Sequence, residues 1–187
     1  MQSLVLKLGM DEYTNLAISS FLCQMNTRVN KAVYNFILRD YEHLKMLRKA
    51  IEIILDEDIE RPQISVLGKL GNNLDAKGNW DFDQESELNA YWNKVLKEKV
   101  NFGVFPHTEF GSLFIAGALA SQFLFDISGR PLGSMSAGPY GILRGLGITE
   151  DKVNFYLKAL KKGHLLLLVR HTFQQTQLIE EKLEKLG

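Results

Sequence analysis

The sequence contains one cysteine, Cys23. That excludes an internal disulfide and a multi-cysteine metal site. A lone thiol in an apolar stretch reads as a small core residue rather than a nucleophile. A disulfide-free chain suits a reducing compartment, so a cytoplasmic location is expected. Net charge is absent too: 22 Lys and Arg balance 22 Asp and Glu. Without a basic surplus there is no footprint for nucleic acid, and near-zero charge favours self-association. The longest strongly apolar run, residues 113–125, is broken by Ser121 and Gln122. It is shorter than the roughly 20 residues a spanning helix needs. The start, MQSLVLKLGMDEYTN, has neither the basic opening nor the apolar core of a signal peptide.

What is present is ordinary for one globular domain of 187 residues, with 45% hydrophobic and 24% charged residues. A strand over residues 3–8 and a helix over 11–25 open the chain. Residues 31–38, KAVYNFIL, read as a strand, and Asp40 as the cap of a helix with its apolar stripe on Leu44, Leu47, Ile51, Ile54 and Leu55. The acidic run Asp56, Glu57, Asp58 and Glu60 ends that helix as a solvated loop. Residues 63–70 follow as a second strand, with Ile64, Val66 and Gly68 on one side. The two strands form a β-α-β crossover in one sheet.

Residues 71–110 turn polar. The stretch GNNLDAKGNWDFDQ fails as a calcium loop, because the sixth position from Asp75 is Trp80 and the twelfth is Ser86. A helix over 84–100 follows, with Leu88, Tyr91, Trp92 and Val95 on one face. Trp80 and Trp92 are the expected docking anchors. Ten of the fifteen glycines fall in residues 103–163, and small residues recur at Gly129, Gly133, Ala137, Gly141 and Gly145. Residues 110–125 are expected as an apolar helix and 139–146 as a shorter one ended by Gly147. Together they make a glycine-rich hairpin whose Gly141 and Gly145 permit close backbone approach. A phosphate loop is excluded because no strand precedes these glycines and no Lys-Ser/Thr follows them.

The last forty or so residues carry clear punctuation. Thr149 caps a helix with its apolar face on Val153, Tyr156, Leu157 and Leu160, and Gly163 stops it. HLLLLVR, residues 164–170, is a central strand buried on both faces. Thr172 opens a final helix lined by Thr176, Ile179, Leu183 and Leu186. His164 and His171 are an odd spacing apart on that strand, so they face opposite ways and share no site. They read as surface residues or as supports behind another group, and His43 and His107 stand equally alone in sequence. No catalytic, cofactor or metal residues are expected.

Two stretches together carry a resemblance: KAVYNFILRDYEHLKMLRKAIEIILDEDIERPQISVLGKL and GILRGLGITEDKVNFYLKALKKGHLLLLVR. Their order of strand, helix, strand, glycine-rich segment, helix and apolar strand resembles the bacterial heat-induced or general stress protein family. The matching positions are Gly145, Gly147, Ile148, Glu150, Tyr156, Leu160 and Gly163. The resemblance implies a small α/β domain with a glycine-zipper segment and no established chemistry, in which these residues shape a turn and a helix.

The resulting expectation is a single α+β domain over residues 1–187, a ferredoxin-like two-layer sandwich with a glycine-rich helical insertion at 71–147. The packing residues are Gly141, Gly145, Gly147, Tyr156 and Gly163. The expected function is non-enzymatic, stress-associated binding through the hairpin, with a homodimer as partner and no nucleic acid. The alternatives are a membrane-peripheral protein that inserts the hairpin, and a ligand carrier or enzyme with a pocket between insertion and sheet.

Overall fold

The computed structural model describes residues 34–56, 63–70, 85–172, 176–184 and 186. The elements expected in residues 1–33, Cys23, the acidic residues after Asp56, and the loop with Trp80 lie outside these.

The first strand, β1 (Tyr34–Tyr41), runs past Asp40. Asp40 therefore sits in the strand instead of capping the helix, and α1 (Leu44–Leu55) begins after His43. Of its expected stripe, Leu47, Ile51 and Ile54 are buried together with Ala50, while Leu44 and Leu55 are partly buried. β2 (Gln63–Lys69) falls where the periodicity places it, and α2 (Glu85–Val95, with Leu88 and Trp92 buried) ends before the expected position 100.

The next segment differs from expectation. Residues 102–117 form two strands, β3 (Phe102–His107) and β4 (Gly111–Gly117), and only one helical turn follows, α3 (Ala120–Phe123). The glycine-rich helical hairpin and the wholly helical insertion at 71–147 are thereby corrected. The physical reason is that residues 113–117 are buried on both faces of a sheet, and a continuous apolar run carries no period to tell strand from helix. β3 is diluted by Gly103 and Pro106, and the proline is tolerated because β3 is an edge strand.

A 3-10 turn (Leu132–Ser134) leads to α4 (Gly138–Gly145), α5 (Glu150–Lys161), β5 (Leu165–Thr172) and α6 (Thr176–Glu184). Thr172 belongs to the strand rather than opening the last helix.

The sheet order is β1-β5-β2-β4-β3, with every neighbouring pair antiparallel. β1 and β2 thus run the same way in one sheet, with β5 inserted between them. β4 and β5 are likewise parallel, with β2 between. The alternation of β5 shows how the layers form. Leu165, Leu167 and Val169 join a core with α1, α2 and α6, while Leu166 and Leu168 join a second core with α3, α4 and α5. Helices therefore cover both faces, giving three layers instead of the expected two. Five consecutive buried side chains at about 1.5–3 kcal/mol each make β5 the main apolar anchor of the fold.

The crossovers β1-α1-β2 and β4-to-β5 step in opposite directions on antiparallel strands. A half-turn in the sheet plane superimposes these steps without exchanging faces. Because α1 and α5 lie on opposite faces, the two crossovers have opposite hands.

Candidate functional site

The glycines expected to permit close packing divide into two kinds. A Cβ placed at Gly141 or Gly145 meets nothing within 4 Å, so neither provides close packing in this chain. This corrects the zipper expectation there. Gly147 and Gly163 are helix stops with φ of 87° and 97°. Each closes its helix with a paired set of bonds. Gly147 N–H donates to Arg144 C=O and Ile148 N–H to Leu143 C=O. Gly163 N–H donates to Leu160 C=O and His164 N–H to Ala159 C=O. Both patterns satisfy the last carbonyls of a helix through a residue in the left-handed region.

The histidines are not isolated in space. His107 is buried; its Nε2 donates to Met135 C=O (3.1 Å), and its Nδ1 accepts from Glu109 N–H (3.1 Å) and Phe110 N–H (3.4 Å). Two backbone donors at Nδ1 fix the Nε2–H tautomer, so this ring braces the β3–β4 turn. His164 Nδ1 lies 2.7 Å from Asp40 Oδ2, a partly buried pair joining the start of β5 to the end of β1. Sequence spacing could not show it, because the partners are 124 positions apart. Among the described residues no further side chain bonds to this pair, and no group of three or more His, Cys, Asp or Glu could hold a metal. His171 is buried rather than at the surface.

One cavity lies along the edge of β1 that has no strand neighbour among the described residues. It has a volume of about 350 Å³, and its floor is five successive strand residues, 35–39. One wall is residues 146–149 with Lys152 and Tyr156; the other includes Glu180 of α6. The edge strand thus lies at the bottom of a slot between helices of the two faces. Tyr156 is buried and its hydroxyl donates to Leu38 C=O (2.6 Å). That bond identifies the direction of the backbone groups. Leu38 faces away from β5, and strand alternation turns the N–H and C=O of Phe36 the same way, into the slot. The Leu38 N–H joins them.

Near this edge, burial pushes the Tyr41 phenol up to about 12; Arg39 opposes the shift, and Asp40 and Tyr156 add to it. A second cavity, also about 350 Å³, lies between the β3–β4 turn, α4 and α5. Its Lys161 ammonium is already held by Glu109 at 3.0 Å. No described helix is long and apolar enough to cross a membrane. The arrangement as a whole offers hydrogen-bonding backbone in a recess more than it offers converging reactive groups. No protein-family model, curated protein or solved structure matches the chain.

Proposed function

We propose that the chain is a non-enzymatic binding protein that takes an extended polypeptide segment as a sixth strand along β1. The single observation that carries this reading is the slot floored by residues 35–39. Backbone donors and acceptors at a sheet edge give affinity to any extended chain, and walls on either side select its side chains. The cavity volume is at the small end of ligand sites, which suits a single strand more than a folded surface. The recess also argues against two β1 edges pairing with each other. Each edge lies between its own α5 and α6, and these helices would meet before the strands reached the ~4.8 Å ladder spacing. A stress association rests on the motif resemblance over residues 31–70 and 141–170 alone.

The test uses an acetylated, amidated Thr-Ile-Tyr-Val-Thr peptide carrying a fluorescent label, titrated against the full chain by anisotropy. Two further peptides carry backbone N-methyl groups at odd or at even residues. One alternate set points into the ladder and the other away from it, so one methylated peptide is expected to lose binding and the other to keep it. Binding indifferent to both sets, or no binding at all, overturns the reading. So does a dimer that dissociates as peptide is added, since the slot would then belong to a second copy.

A further inference from the structure

We infer that Tyr156 limits the length of the added strand by holding the one edge acceptor at Leu38, an inference that rests on the strand-addition reading. Along the slot the edge presents four outward groups: the N–H and C=O of Phe36 and of Leu38. Among the described residues three of these take no partner, and the fourth, Leu38 C=O, receives the Tyr156 hydroxyl at 2.6 Å. A ladder that grows from Phe36 toward Arg39 meets this phenol before it completes the bonds at Leu38. The tyrosine is firmly placed. It is buried on α5, against Leu38 and Leu160 in the same core, and Phe155 packs on it edge-to-face with ring centroids 5.2 Å apart. An edge strand with all its acceptors exposed is a template for any other edge. By occupying one acceptor from within, the chain keeps the site short and restricts it to segments that need few ladder bonds. Tyr156 is here a positioning and selectivity residue, with no reaction to catalyse.

The experiment compares the wild-type chain with Tyr156→Phe, which keeps the ring and removes the hydroxyl. Tyr156→Leu also lacks the hydroxyl and serves if the first variant does not fold. The probe is the same labelled pentapeptide together with its five singly N-methylated forms. In the wild type, one N-methyl position abolishes binding, the amide that donates to Phe36 C=O. In Tyr156→Phe the unmodified peptide binds roughly three- to tenfold tighter, in line with one added hydrogen bond. A second N-methyl position, two residues from the first, becomes sensitive as well. A purely structural role for Tyr156 would not create that second position. Equal affinity with an unchanged methylation pattern overturns the limiting role and leaves strand addition standing. Failure of the peptide to bind either chain overturns both.

Discussion

The Tyr41 phenol shows how one partly buried side chain sets a pH limit on the fold. Its pKa is about 12 in the folded chain, raised first by burial, against an ordinary value of 10.0. Between those values the unfolded chain releases the proton and the folded chain retains it. The Tyr41 contribution to stability is therefore full below pH 10 and is lost as pH rises from about 10 to 12. Tyr41→Phe should flatten this decline, measured as the slope of melting temperature against pH over that window. An equal slope in both proteins would exclude Tyr41 as the source. Tyr91, whose pKa burial also raises, adds a decline in the same direction. At this scale the sequence was least informative. The apolar character of Leu47, Ile51 and Val169 shows in composition, but the Asp40–His164 pair and the Tyr156–Leu38 bond join residues 124 and 118 positions apart. No local pattern records such a meeting.

Helices were more legible than strands because their ends are marked chemically. α4 and α5 stop at Gly147 and Gly163, as the glycine placement predicts, and α5 starts after Thr149 with Glu150 and Asp151 in its first turn. The Thr149 side chain makes no capping bond, so the acidic first turn is left to complement the helix dipole. β4 carried no such marks and was indistinguishable from a helix. The glycines within α4 give an element-level prediction. Gly141 is exposed, has open space where a Cβ would go, and lacks a positive φ. Gly141→Ala should therefore stabilise by up to ~1 kcal/mol, the helix preference of alanine over glycine. Gly147→Ala should destabilise by ~1–2 kcal/mol, because its left-handed conformation strains any side chain. Urea melts of the two variants should shift in opposite directions. A stabilised Gly147→Ala would contradict the helix-stop account.

At the level of the whole molecule, the α+β class and the central strand were evident from composition and from HLLLLVR. The strand order was not, since pairing depends on which distant segments meet. Among the described residues β5 is the only strand that touches both β1 and β2. Among the described residues β1 has no other strand neighbour. A chain cut after Gly163 should therefore lose the cooperative thermal transition and the dispersed amide spectrum of the full protein. A cooperative melt in that truncated chain would show that β5 is dispensable.

The central place of β5 also sets the order of events on the ribosome. Tyr41 pairs with Leu165, so β1 leaves the ribosome long before its partner exists. At about 5–20 residues per second, the delay is on the order of ten seconds. During that time Ile37 and Leu38 have no sheet to enter, and β2 lacks the neighbour that joins it to β1. The growing chain is then at its most adhesive, and the emergence of residues 165–172 determines when that state ends.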